Sequence, residues 1–132
     1  MDLSGLEAFI DGLEDIIDSI NEINLDFMKE EWGIFVEKVK PLTPYDYSKP
    51  SGEFHMRDDG YQLGHIEFLG TITQADWKNI APYASYVNDG TVFIAPFKFW
   101  QLGMWQAEQG REQRYQVKFL EEYEKIMLEH LP

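Results

Sequence analysis

Leu3, Leu6, Ile10, Leu13, Ile17 and Ile20 recur at alternating steps of three and four residues. Phe9, Ile16 and Ile23 widen the same stripe, and acids fill the opposite side. That period puts one apolar face on a helix and predicts a strongly amphipathic element. Ser4, with Glu7 three residues on, has the spacing of a capping box, and early acids suit the positive end of a helix dipole. The pattern falters between Asn21 and Leu25, where Asn24 takes an apolar slot, then resumes with Phe27, Met28, Trp32, Phe35, Val36 and Val39. One long helix with a polar notch satisfies this spacing, and so do two helices bent near Asn24. Pro41 and Pro44 end the element, because the residue before a proline disfavours the αR region.

The stretch 41–52 is rich in Pro, Ser, Tyr and Gly and reads as a loop, in which Asp46 can close an Asx-turn onto the backbone two residues on. Phe54 and Met56 alternate with Glu53, His55 and Arg57, the period of a half-buried strand, and Asp58-Asp59-Gly60 is a strong turn signal. A second run, Tyr61 to Thr73, carries Leu63, Ile66, Phe68, Leu69 and Ile72, with Gly64 and Gly70 at bulge or bend positions. The expectation is an antiparallel hairpin around Asp59-Gly60. Gln74 to Ile80 then reads as a polar turn holding Trp77.

Ala81 to Thr91 predicts a short helix with a hard stop. Pro82 suits a first helical position, and Asn88-Asp89-Gly90 supplies residues that tolerate φ > 0. Tyr83, Tyr86 and Val87 share one face, which must pack on something, and Ala84 leaves a neighbour room to approach. Thr91 to Ile94 reads as a last strand before Pro96. From Phe97 to Leu131 apolar residues return to helical steps, interrupted at Gly110 and weakened at Gly103, where Gly costs about 1 kcal/mol relative to Ala. The architecture expected is α+β in a single domain spanning 1–132. It comprises an N-terminal helix over 1–40, a loop over 41–52, a small mostly antiparallel sheet of three or four strands over 53–96 with a short helix at 82–88, and a C-terminal helix over 97–132.

Charge sharpens the picture of the first helix. The formal net charge is −13, and eight acids precede the first base, Lys29. Such a field repels nucleic acid phosphates and anionic membrane, which argues against a protein that grips DNA through its surface. Four of the eleven bases, Arg111, Arg114, Lys118 and Lys125, sit in the C-terminal helix. No apolar run approaches the length of a spanning helix, and the start Met-Asp-Leu-Ser lacks a basic n-region, so no membrane span or export signal is expected. Either the chain's own sheet covers this stripe, or, since a helix this long outreaches one small sheet at 1.5 Å rise per residue, part of it packs against another subunit. The residues expected there are Leu6, Ile10, Leu13 and Ile17, with Tyr83 and Tyr86 on the short helix.

Tyr83-Ala84-x-Tyr86-Val87-x-x-Gly90-Thr91, preceded by Thr43-Pro44-x-Asp46 and followed by Ala95-Pro96-Phe97, resembles the pattern of the small neck or tail-completion proteins of long-tailed bacteriophages. The order and spacing match over most of the chain. Two departures stand out: Tyr47-Ser48-Lys49-Pro50-Ser51-Gly52 replaces the usual Thr-Gly and apolar residue, and Asn88 stands where an acid is more usual. The resemblance implies a non-enzymatic virion part that assembles as a homo-oligomeric ring, a hexamer. It would touch other neck, connector and tail-tube proteins and let DNA pass without specific binding. The loop 41–52 is then either plain punctuation between helix and sheet or, given the resemblance, a docking loop whose Tyr45 and Tyr47 face a neighbouring ring. Asp11, Glu14, Asp15 and Asp18 would then form a DNA-repelling face.

Chemistry-bearing patterns are sparse. His55, His65 and His130 stand beside no nucleophile motif. His130 suits the negative end of a helix dipole, whereas His55 and His65 on paired strands, with Glu53 or Glu67, would make only a nominal metal site. Asp58-Asp59-Gly60 lacks the ligand alternation of a calcium loop, and no phosphate-binding or dinucleotide Gly pattern appears. No catalytic residue, cofactor or metal is expected. A small acidic inhibitor, either a DNA mimic or an immunity protein, accounts for the acids equally well.

Overall fold

The computed structural model describes residues 3–70, 72–92 and 94–129. The first helix, α1, runs unbroken over Leu3–Val39, so the polar notch bends nothing. Its Asn24 is matched instead: the Tyr115 hydroxyl donates to Asn24 Oδ1 at 2.8 Å, beside an edge-to-face contact of Tyr115 with Phe27. Ser4 lies inside this helix rather than at its cap. A 3₁₀ turn at Lys40–Leu42, holding Pro41, closes it. Thr43 fixes that end, its buried hydroxyl donating to the Val39 carbonyl at 2.8 Å. Its single proton is thereby used, so the Tyr61 hydroxyl donates to Thr43 Oγ1.

Beyond the loop come α2 (Met56–Asp59), β1 (Tyr61–Leu69), β2 (Ile72–Asn79), α3 (Ala84–Asp89), α4 (Phe99–Glu108) and α5 (Arg111–Glu129). The fold is α+β. Its sheet is a two-stranded antiparallel hairpin among the described residues. The hairpin does not turn at Asp59-Gly60. Gly60 is right-handed, with φ −85°, and ends α2, while the Asp59 carboxylate accepts the His55 backbone N–H at 2.8 Å. The turn falls at Gly70, with φ +64°. Gly64 lies in a bulge between the pairs Leu63 with Trp77 and Ile66 with Ala75. The expected polar turn from Gln74 is therefore a strand, with Thr73, Ala75, Trp77 and Asn79 half-buried and Gln74, Asp76 and Lys78 exposed. Thr91 to Ile94 is no strand in its described residues: Thr91 N–H donates to the Ile94 carbonyl at 2.8 Å, closing a tight turn. Phe93, His130 and Leu131 lie outside the described residues.

Phe35 is the hub of the core. It is fully buried and touches Trp77 at 5.3 Å, Trp100 at 4.8 Å, Trp32 at 5.7 Å and Tyr61 at 6.1 Å between ring centroids. Val39, Met56, Ala81, Phe99 and Ala107 complete it. α4 approaches α1 closely because Gly103 has no side chain: a Cβ there would meet Val39 Cβ at 2.7 Å. Gly110, with φ +74°, breaks the C-terminal helix into α4 and α5 as its position suggested. At that junction Arg114 donates to the Ala107 and Gln109 carbonyls left open by the end of α4. It also donates to Glu31 at 2.7 Å and 2.8 Å. Arg111 binds the same carboxylate at 2.9 Å.

Candidate functional site

Three features of the described surface hold most of the residues expected to bear on function. The first is a line on α1. Leu3, Leu6, Ile10, Leu13 and Ile17 succeed one another at three- and four-residue steps and are all exposed, from 40% at Ile17 to 60% at Leu3. Phe9 beside them is 63% exposed. Ile16, Ile20 and Ile23 on the adjoining line are half-buried or buried, and α5 packs on this helix. One flank of the stripe is covered and the other is not.

The second feature is the row of acids on the same helix. Asp11, Glu14, Asp15 and Asp18 are all exposed. Glu7 and Glu14 lie three and four residues from Ile10, the spacing of helix-surface neighbours, and so border the apolar line.

The third surrounds α3. Tyr86 is exposed on it, Tyr83 is exposed at its N-cap, and Ile80, Val92, Ile94 and Phe97 are exposed around it. Gly90, with φ +80°, makes the bend possible; a Cβ there would also meet the Pro96 nitrogen at 2.8 Å. Asn88 is buried and supplies what Lys98, the residue before α4, does not. Its Oδ1 accepts the Trp100 N–H at 2.9 Å and so caps α4 from outside, while its Nδ2 donates to Asp89.

Tyr45 and Tyr47 part company. Tyr47 is 84% exposed. Tyr45 stacks on His55 with centroids 4.2 Å apart and the Arg57 guanidinium 4.0 Å from its ring. His55 is buried there, its ring nitrogens facing the Glu53 and Asp46 carbonyls at 2.9 Å and 3.2 Å. It is therefore a packing residue of the loop and not a strand partner of His65, which is exposed on β1. Asp46 closes the expected Asx-turn, accepting the Ser48 N–H at 2.9 Å.

Pockets beside α3 measure about 180 Å³ and 220 Å³, below the usual 300–1,000 Å³ of ligand sites. A larger space of about 520 Å³ is an open groove along α1 and α5, lined by Glu30, Arg114, Lys118 and Glu122 among others. Among the described residues no three His, Asp or Glu side chains converge as a metal set. The shifted carboxyls have local causes. Burial pushes Glu31 up, but hydrogen bonds and charge from Arg114 and Arg111 outweigh it and hold its pKa below the ordinary value. Hydrogen bonds from Ser48 lower Asp46, and Arg57 lowers Asp58.

Sequence reasoning missed Val92 and Ile94 as surface because an apolar β-branched run was read as a strand, and Phe97 because it was read as the start of the C-terminal helix. It also missed the Glu31 ion pair. The available signal was an acid at the helical phase of Phe27 and Phe35, four residues to either side. No described helix is long and apolar enough to cross a membrane. The chain matches no family model, no curated protein and no solved structure.

Proposed function

We propose that this chain is a non-catalytic part of a tailed-phage particle: a neck or tail-completion subunit that closes the tail end and joins head to tail within a homo-oligomeric ring. The observation that carries the reading is the uncovered apolar line from Leu3 to Ile17 on α1. A contiguous apolar strip in water marks an interaction surface, and association of identical copies is the general way to cover one. The motifs around Thr43, Tyr83 and Pro96 supply the choice of family, and a hexamer follows from that resemblance. Its neighbours are then other neck, connector and tail-tube proteins, in the virion and, during assembly, in the host cytoplasm. In this setting Asp11, Glu14, Asp15 and Asp18 face passing DNA and keep it from sticking.

The exposed acid row also favours a second reading, a small inhibitor that occupies a basic partner as a DNA mimic or immunity protein. Sedimentation velocity and negative-stain electron microscopy, with and without tail tubes lacking their end protein, separate the two. Rings, or tube ends capped by the protein, are the expected result. A monomer that leaves tube ends bare and instead binds a basic protein in a salt-sensitive way overturns the assembly reading.

A further inference from the structure

His55 is buried, at 3% exposure, where the loop meets α2. Its Nδ1 lies 2.9 Å from the Glu53 carbonyl oxygen, and its Nε2 lies 3.2 Å from the Asp46 carbonyl oxygen. A carbonyl oxygen only accepts, and a neutral imidazole has one N–H and one lone pair. Either neutral tautomer therefore sets a lone pair against a carbonyl oxygen in a buried place, where an unmet polar group costs most. Only the imidazolium, with two N–H groups, satisfies both contacts.

The surroundings suit that charge. Tyr45 offers the face of its ring, stacked at 4.2 Å and 6° from parallel. The Asp59 carboxylate accepts the His55 backbone N–H at 2.8 Å. Asp46 and Asp58, held below the ordinary carboxylate range chiefly by hydrogen bonds from Ser48 and Arg57 respectively, also feel the charge on His55. Two cations oppose it: Arg57, 4.0 Å from the centre of the same Tyr45 ring, and Lys49, which shares a pocket with His55. Arg57 is paired with Asp58 at 2.9 Å, and Lys40 acts on that carboxylate too. Lys49 Nζ stands 5.7 Å from the centre of the Tyr83 ring. The remaining titratable neighbours are Tyr47, its ring 4.8 Å from that of Tyr45, and the exposed Glu53.

We propose that His55 is a proton-operated clasp on the loop that carries Tyr47. With both ring protons it ties Glu53, two residues away, to Asp46, nine residues away, and holds the loop against α2. The Asp46 contact is the longer, so the Nε2 proton is the one released, while Nδ1–H keeps its local bond to Glu53. Loss of that proton turns the Nε2 lone pair toward the Asp46 carbonyl and repels that side of the loop. Tyr47, 84% exposed, and Lys49 lie on the freed segment. One proton thus sets how rigidly the surface they form beside α3 is presented.

Nitrogen-15 spectra of the histidine rings in the full chain test the first step. At about pH 5 both ring nitrogens of His55 are expected to carry protons. A single neutral tautomer of His55 there, with the exposed His65 doubly protonated, overturns the proposal. The Lys49 amide, which donates to the same Asp46 carbonyl at 3.2 Å, reports the second step. Between about pH 5 and pH 8 its exchange protection, corrected for the intrinsic pH dependence of exchange, is expected to fall several-fold as His55 loses its proton. Asp46 is already ionised throughout that range, so the change belongs to His55. Protection that stays constant while the Nε2 proton leaves overturns the clasp, and so does an equal fall in His55→Gln, whose side chain does not titrate. Both readouts on the wild-type chain decide the matter even where His55→Gln fails to fold.

Discussion

The two halves of α1 share one backbone and one apolar period but meet different surroundings. From Ile23 to Val39 the stripe is sealed: Ile23, Phe35 and Val39 are buried, and so is Glu31 with its two arginines. From Leu3 to Ile17 the same spacing leaves every large aliphatic on the outer line exposed. α4 and the hairpin pack on this helix, with Gly103 at Val39 and Trp77 on Phe35. Both of these named contacts fall in its C-terminal half. Periodicity therefore states that a helix face is apolar. It does not state whether the chain that carries the face also covers it.

Truncation of one apolar residue from each half breaks the comparison most directly. Phe35→Ala empties the centre of the aromatic cluster and is expected to lower the unfolding free energy by about 4 kcal/mol. Leu13→Ala, in protein dilute enough to be unassociated, is expected to cost less than about 1 kcal/mol, because its side chain is already partly in water. Urea unfolding of both variants decides the matter. Equal costs would mean that the N-terminal half is packed within the subunit after all.

Glu31→Gln tests the polar seal of the same half. The carboxylate is buried while its arginines remain partly in water, so the loss is set near 2–3 kcal/mol, below the usual figure for a fully buried pair. The pKa of Glu31 is lowered in the folded chain. Its contribution is therefore fully present above the ordinary carboxylate range. It fades as pH falls below about 4.5 and through the lower folded value. The stability gap between wild type and Glu31→Gln, measured from pH 7 downward, should close in that acid window. A gap that stays constant with pH would remove the ion pair as its cause.

Glycines sharpen the contrast at smaller cost. Helix propensity alone favours Ala over Gly by about 1 kcal/mol at any interior position. At Gly103 the new Cβ would stand 2.7 Å from Val39 Cβ, so Gly103→Ala is expected to destabilise by about 1–2 kcal/mol. At Gly12 nothing lies within 4 Å of the same atom, and Gly12→Ala should stabilise the monomer by up to about 1 kcal/mol. Thermal melts of the two variants ought to move in opposite directions. A stabilised Gly103→Ala would show that α1 and α4 are less tightly packed than their separation indicates.

The helices were legible because their signals are local: the steps of three and four in α1, the Pro41 stop, and the left-handed Gly110 break. The hairpin was misplaced because two signals competed and the weaker looked stronger. Asp58-Asp59-Gly60 resembles a hairpin turn, but Asp59 accepts the His55 N–H and winds Met56–Asp59 into a helical turn instead. Thr73, Ala75 and Asn79 are too small or polar to announce an inward face, so β2 passed for a loop. Of the surface, the apolar line on α1 and the tyrosines of α3 were visible as residues to be covered. That Tyr45 is already engaged by His55 and Arg57, while Tyr47 is open, depends on contacts across the loop that no local pattern encodes.

The smallest expected effect concerns the acids, and its sign is the informative part. Asp11 and Asp15, and Glu14 and Asp18, are like-charge pairs at four-residue spacing; Asp11 with Glu14 and Asp15 with Asp18 stand three apart. Each such pair opposes the helix by about 0.2–0.5 kcal/mol at low salt, and these residues lie beyond the first turn, where the helix dipole would offset them. Replacing the four by Asn and Gln should therefore raise monomer stability by up to about 1 kcal/mol in dilute buffer. The gain should shrink near 0.15 M salt, where screening acts within about 8 Å. Unfolding curves at two salt concentrations measure it. A gain would mean that the row opposes the helix that carries it, so any benefit of those charges must come from what the surface meets: DNA, a neighbouring copy or a basic partner. A loss of stability would show instead that the acids serve the fold, and the argument for a repelling face would lose its premise.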